Sequence, residues 1–312
     1  MSPYVSIVIP VYNEEPNIQH LFDRLYPVMQ GLGKPFEIIF TDDGSRDRSL
    51  ELLKKFASSH PEVRIVEFNG NFGQHMAILA AFEISRGEIV ITLDADLQNP
   101  PEEIPKLIAE IEKGHDVVGS IRQKRQDTFF RKTASLMVNI ATRKMTGMKM
   151  TDYGCMLRAY HRNVVENINR CQEASTFIPA LAQTFARNPS EVEVAHAERA
   201  EGESKYSLYK LIRLNFDLMT GFSVVPLQLF ALMGILTSLF AVAFALFLLI
   251  RRFVVGAEVE GVFTLFAILF FFLGITIFGI GIVGEYVGRI YQEVRRRPRY
   301  VVRTVHGVSH EQ

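Results

Sequence analysis

The stretch EIVITLDADLQNPP, Glu88 to Pro101, decides the fold. Ile89 to Thr92 is an apolar run, short and rich in β-branched residues, which reads as a buried strand. It gives way to two aspartates, Asp94 and Asp96, with one small residue between them. Gln98, Asn99 and the pair Pro100-Pro101 follow, and proline can neither donate to a ladder nor continue a strand. A buried strand that stops on carboxylates stops at a ligand, because open α/β sheets bind ligands outside the carboxyl ends of their strands.

Working outward, the same pattern recurs. Val5 to Val11, VSIVIPV, reads as a strand ending in Tyr12-Asn13-Glu14-Glu15-Pro16, with a helix from about Asn17. Phe36 to Thr41, FEIIFT, reads as a second strand stopping on Asp42-Asp43-Gly44-Ser45, with Asp47 as N-cap of a helix beginning near Arg48. Val63 to Phe68 is a third, followed by Asn69-Gly70-Asn71-Phe72-Gly73 and a helix over Gln74 to Arg86. Strands alternating with helices indicate βαβ units and a mostly parallel, Rossmann-like sheet. Asn13-Glu14, Asp42-Asp43 and Asp94-Asp96 would then converge on one crevice.

Asp94 and Asp96 are two residues apart at a strand end, so their side chains leave on one side. Two carboxylates there repel unless a cation lies between them. A hard divalent ion, Mg²⁺ or Mn²⁺, takes such oxygen ligands and keeps substrate phosphate in its shell. Gln98, on the same side, could add a carbonyl oxygen. The bland alternative is a solvated loop.

Composition narrows the function. Lys+Arg and Asp+Glu are both 34, so the chain lacks the basic excess of a nucleic-acid binder. Cys155 and Cys171 fit neither a disulfide framework nor a zinc site. No GxGxxG follows the first strand, and no Walker A or GxSxG motif occurs, which argues against a dinucleotide oxidoreductase, a P-loop NTPase and an α/β-hydrolase. The N-terminus shows no signal-peptide pattern.

Gly221–Ile250 and Gly261–Gly284 carry no charge, and each exceeds the roughly 20 residues that cross a bilayer. Arg289, Arg295, Arg296, Arg297, Arg299 and Arg303 follow the second run, whereas Arg251 to Glu260 between the runs holds two Arg and two Glu. The positive-inside bias places both ends in the cytoplasm. Leu208, Leu211, Ile212, Leu214, Leu218 and Met219 recur at near-helical spacing, as in a helix lying in the interface or packed on the soluble domain. The expected organisation is a cytoplasmic domain over 1–206, an interfacial helix over 207–222, two spans within 223–288 (about 223–250 and 261–284) and a basic tail over 289–312.

VIPVYNE (Val8–Glu14), DDGS (Asp42–Ser45) and LDADLQNPP (Leu93–Pro101) resemble the inverting GT-A glycosyltransferases that use nucleotide-sugar donors. DYGCMLRAY (Asp152–Tyr160), ERAEGESKYS (Glu198–Ser207) and GEYVGRIY (Gly284–Tyr291) resemble the polyprenyl-phosphate branch of that family. NFGQHMAILAAF (Asn71–Phe82), VGSIRQKRQDTFFRKTAS (Val118–Ser135) and RPRY (Arg297–Tyr300) are most similar to the enzymes that load 4-deoxy-4-formamido-L-arabinose onto undecaprenyl phosphate for lipid A modification and polymyxin resistance.

The resemblance implies a GT-A domain at the bacterial inner membrane, a UDP-sugar donor, an undecaprenyl phosphate acceptor, Mg²⁺ or Mn²⁺, contact with membrane lipids and a homo-oligomer, a tetramer by analogy. It implies that Pro10, Tyr12 and Glu14 cradle the nucleotide, and that Asp42 and Asp43 hold uracil and ribose. Asp94, Asp96 and Gln98 match the metal and diphosphate site, with Asp94 also beside the nucleotide and Asp96 catalytic. Asp152 matches the proposed catalytic base. Arg122, Arg131, Arg199, Ser204 and Lys205 match positions that meet donor or acceptor phosphate. Tyr12 could instead pack beside its strand, Arg122 and Arg131 could be solvated surface, and His75 reads as a helix-start residue. Transfer of glucose, mannose or an N-acetylated sugar instead, a membrane scaffold and a permease are the rival readings.

Overall fold

Strand β1, Val5–Val11, is at the centre of the sheet because it is apolar on both faces and buried along its length. A computed structural model describes residues 2–122, 155–171, 177–195, 225–255, 262–295 and 297–307. On one side β1 pairs in parallel with β2, Phe36–Asp42, which pairs in parallel with β3, Val63–Phe68. On its other side it pairs in parallel with β4, Ile89–Thr92. Helices α1 (Glu15–Gly31), α2 (Ser49–Ser59) and α3 (Gln74–Ile84) make the crossovers. Helix α1 buries Ile18, Leu21, Phe22, Leu25 and Met29, a stripe at helical spacing. Helix α3 is apolar all round and buries every residue from Ala77 to Phe82.

After α4 (Ile104–Glu112) the chain forms β5 (Val117–Arg122), β6 (Arg158–His161), α5 (Arg162–Arg170), α6 (Ile178–Phe185) and β7 (Pro189–Val194). Strand β6 is antiparallel to both β4 and β5, so β5 runs the same way as β4. The carboxyl ends of β1, β2, β3, β4 and β5 therefore share one edge, and β6 starts from it.

Helices α7 (Val225–Val255) and α8 (Val262–Val294) belong to a second compact unit, Ser207–Arg295. Each is long and apolar enough to cross a membrane, with the strongest windows at Leu227–Phe244 and Ile268–Tyr291. Both outrun the expected spans, and α7 takes in Arg251, which the sequence reading gave to the connection. The expected interfacial helix over 207–222 lies outside the described residues.

The reading of 289–312 as a basic tail needs correction. Residues 289–294 still belong to α8, and Val302–His306 forms β8, antiparallel to β3 at the sheet edge. Asn69 N–H donates to the Val301 carbonyl (2.9 Å), and Tyr300 stacks on Phe68 with ring centres 5.0 Å apart. Glu67, buried on β3, meets His306 at 2.9 Å, Lys54 at 3.0 Å and Arg303 at 3.3 Å. Burial works to raise the Glu67 carboxyl, but hydrogen bonds from His306 and Lys54 outweigh it and hold the group below its ordinary value. Arginine and histidine in a tail thus serve a strand. The sheet order is β7-β5-β6-β4-β1-β2-β3-β8.

Candidate active site

The loops leaving β1 and β2 are locked together by short polar side chains. Asn13 adopts a left-handed backbone (φ 54°), which asparagine tolerates. Its amide donates to Ser45 Oγ (3.1 Å), and its side-chain oxygen accepts from Arg46 N–H (2.8 Å). Arg48, not the expected Asp47, is the N-cap of α2, and Asp47 instead bridges two helix starts. Its carboxylate accepts from Ser49 N–H (3.0 Å) at the start of α2 and from Glu15 N–H (3.1 Å) at the start of α1. Glu14 N–H donates to Ser49 Oγ, and the Glu14 carboxylate accepts from Asn17. Tyr12 projects from this junction, 41% exposed, and Pro10 pairs with Thr41 in the ladder.

Asp42 and Asp43 end β2 almost wholly buried. Asp42 accepts weakly from Ser45 N–H at 3.3 Å, whereas Asp43 accepts from Phe72 N–H (2.6 Å) and Gly73 N–H (2.9 Å). Burial raises both carboxyls above the ordinary aspartate value, and these hydrogen bonds offset it only in part. Gly44 permits the arrangement twice over. Its φ is 73°, and a Cβ there would stand 2.6 Å from the Gly70 carbonyl carbon.

The turn after β4 presents Asp94, Asp96 and Gln98 partly exposed. Gln74 Nε2 donates to Asp94 Oδ1 (2.6 Å), and Gln98 N–H donates to Asp96 Oδ1 (3.1 Å) around the left-handed Leu97 (φ 60°). Behind the turn, buried Asn99 accepts from Cys155 Sγ (3.4 Å). Thr92 Oγ donates to the Met156 carbonyl, Ser120 Oγ to that of Leu157, and Arg158 Nε to that of Cys155. The Thr92 and Ser120 bonds fix the start of β6 against β4 and β5, and the Arg158 bond holds the segment's own bend. Cys155 is buried and ties this segment to the turn.

Arg122 ends β5 half-buried, on the edge that holds the carboxylates. His75 is the second residue of α3, its ring edge-on to Phe177, and burial holds it down to about 4, so it stays neutral. The topology thus brings Pro10, Tyr12, Glu14, Asp42, Asp43, Asp94, Asp96, Gln98 and Arg122 to one edge. Asp152, Arg131, Arg199, Ser204 and Lys205 lie outside the described residues. Sequence reading passed over Gln74, Asn99 and the Phe72–Gly73 amides. A glycine just before a helix start was the available signal for the last of these.

Among the described residues no three His, Cys, Asp or Glu side chains gather to hold a metal. Two carboxylates on one turn still fit a divalent cation that draws its other oxygens from a bound diphosphate.

A family model described as glycosyl transferase family 2 matches residues 6–168, which span β1 to α5 and every carboxylate above. The chain belongs to that family. It is a glycosyltransferase. The undecaprenyl-phosphate 4-deoxy-4-formamido-L-arabinose transferase of Pectobacterium atrosepticum is 54% identical over 302 residues, covering 96% of this chain and 92% of that protein. The transferase of the same name from Edwardsiella ictaluri is 50% identical over 306 residues, covering 97% and 94%. Glucosyl-3-phosphoglycerate synthase from Mycobacterium tuberculosis, solved with Mn²⁺, UDP-glucose and phosphoglyceric acid, matches with a TM-score of 0.53 at 20% identity, covering 70% of this chain and 78% of that one. That likeness shows the shared GT-A fold.

Proposed function

We propose that the chain transfers 4-deoxy-4-formamido-L-arabinose from its UDP carrier to undecaprenyl phosphate at the cytoplasmic leaflet. The observation that carries this reading is the 50–54% identity, over nearly the whole chain, to transferases named for that reaction. The geometry supports it at each step the described residues reach. Asp42 and Asp43 are buried acceptors at the end of β2, suited to the N–H and O–H donors of uracil and ribose. Asp94 and Asp96, with Gln98, would hold a divalent cation against the diphosphate. When bound, that cation supplies Lewis-acid stabilisation of the leaving group.

The acceptor phosphate oxygen attacks C1 of the sugar, the C1–O bond to UDP breaks, and UDP takes the bonding pair. A phosphate monoester has a second pKa near about 6, so at neutral pH most of the acceptor has already lost its proton. Asp152 is then needed for positioning in the acceptor site, with Arg122, Arg131, Arg199, Ser204 and Lys205 as the donors that offset the acceptor's charge. The loss in Asp152→Asn should be similar at about pH 6 and pH 8.5, or larger at the acid end. A variant inactive at about pH 8.5 that binds both substrates normally would restore the base role.

A panel of labelled UDP-sugars, offered to the purified protein with undecaprenyl phosphate, tests the whole reading. Label should enter the lipid extract fastest from the formamido-arabinose donor. Faster transfer of glucose, mannose or an N-acetylated sugar would reassign the donor, and no transfer from any would refute undecaprenyl phosphate as the acceptor. Orientation is tested by reporter fusions, cytoplasmic after Gln312 and periplasmic near Gly256, with the reverse pattern refuting it.

A further inference from the structure

One tripeptide reaches two of the strand ends at once. Phe72 N–H and Gly73 N–H donate to Asp43 at the end of β2, and the next residue, Gln74, donates its side-chain amide to Asp94 at the end of β4. Strands β2 and β4 flank β1, so this loop crosses over the exit of β1 to join them. The loop is anchored behind as well as in front. Gly73, at φ 94°, ends it in a conformation other residues resist, and α3 continues from it as a helix buried from Ala77 to Phe82.

We propose that Gln74 is a positioning residue that orients the Asp94 carboxylate toward the divalent cation and couples the metal turn to the nucleotide-reading Asp43. The inference rests on the metal-dependent UDP site proposed above. The chemistry of the donor supports it. A lysine or arginine would fix Asp94 equally well but would cancel the charge that a cation needs. A neutral amide fixes one oxygen at 2.6 Å and leaves the carboxylate its charge. The bond is the outer-shell support that metal-ligating groups use, and losing such support costs roughly 10- to 100-fold in metal affinity.

The test uses the full-length protein in nanodiscs and reads free Mn²⁺ by its electron paramagnetic resonance signal, with and without saturating UDP. UDP affinity is measured separately without metal. Gln74→Met keeps length and helix propensity but donates nothing, and Gln74→Ala serves as a second variant if the first does not fold. Both should bind Mn²⁺ in the presence of UDP about 10- to 100-fold more weakly than the parent, with metal-free UDP affinity unchanged. Equal loss of both affinities would make Gln74 merely structural, and loss of neither would remove its role. Both results would overturn the inference. If the parent itself bound no Mn²⁺ with UDP, the site reading beneath it would fail instead.

Discussion

Strand β2 carries a buried carboxylate at each end, and the two are treated in opposite ways. At its start Glu37 is enclosed by donors: Arg64 Nη1 at 2.9 Å, Ser6 Oγ at 2.6 Å and Arg86 N–H at 2.6 Å. The same network reaches the Ile84 carbonyl through Arg64 and Gly87 N–H through Ser6, so it binds β1, β2, β3 and the entry to β4. At its finish Asp42 is met by the neutral donors of Gly44 and Ser45, has Asp43 as its neighbour, and among the described residues makes no ion pair with Lys or Arg. One end is closed by the protein's own charges. The other holds carboxylates at a cost that a ligand can relieve. Charge that the fold neutralises and charge that it leaves to a ligand, as proposed above, thus differ on one strand.

The contrast is sharpest under substitution. Glu37→Gln leaves Arg64 buried without its counter-charge, which should destabilise the fold by about 3–5 kcal/mol. The expected result is a large drop in Tm, with near-normal UDP affinity in the fraction that stays folded. A Tm within a degree or two of the parent would show that the lower network contributes little. At the upper end, Asp96→Ala should leave Tm nearly untouched and lower transfer by about a hundredfold, as loss of a major electrostatic group does. EDTA should abolish activity, and Mn²⁺ or Mg²⁺ should restore it. Full turnover in EDTA would remove the metal from the site.

Asp42→Asn should separate the two roles within one residue. Burial raises the Asp42 carboxyl, so folding favours its protonated form. That stability is present below the unfolded value and is lost as pH rises through the folded one, which leaves an ionised Asp42 costly at neutral pH. The asparagine variant should therefore melt a few degrees above the parent at about pH 7, with the gap closing toward about pH 4. It should also bind UDP roughly tenfold more weakly. A variant less stable than the parent at neutral pH would contradict the burial argument.

The last effect is confined to acid pH and belongs to His75. Its neutral form is buried with a pKa near 4, so it favours the fold above about pH 6.5 and loses that contribution as pH falls toward 4. His75→Phe should flatten this part of the Tm–pH curve. An unchanged slope would place the titration elsewhere.

How much of this the sequence disclosed depends on the kind of signal each part leaves. Strands β1 to β4 were legible because burial on both faces writes a continuous apolar run that ends on polar residues. Strand β6 left no such trace. It is four residues long, RAYH, and its buried Arg158 reads as surface until its partner, the Cys155 carbonyl, is seen. Strand β8 hid among arginines because its side chains answer a single buried carboxylate, Glu67. Asp42, Asp43, Asp94 and Asp96 could be named from strand ends alone. Gln74 could not, because its bond depends on how far a loop from β3 travels across the sheet.

The return of the chain to β8 has a consequence for biosynthesis. Strand β3 ends at Phe68 and its outer partner begins at Val302, so roughly 230 residues are made between them, which takes about 10–50 s at typical rates of elongation. Throughout that interval, while both apolar helices are emerging from the ribosome, the outer edge of β3 has no strand beside it. An open edge is the kind of surface that recruits foreign strands. The strand made after α8 is therefore the one that seals a sheet begun well before it, and a stop codon placed after α8 but before Val302 would leave that sheet unfinished even though both apolar helices had been made.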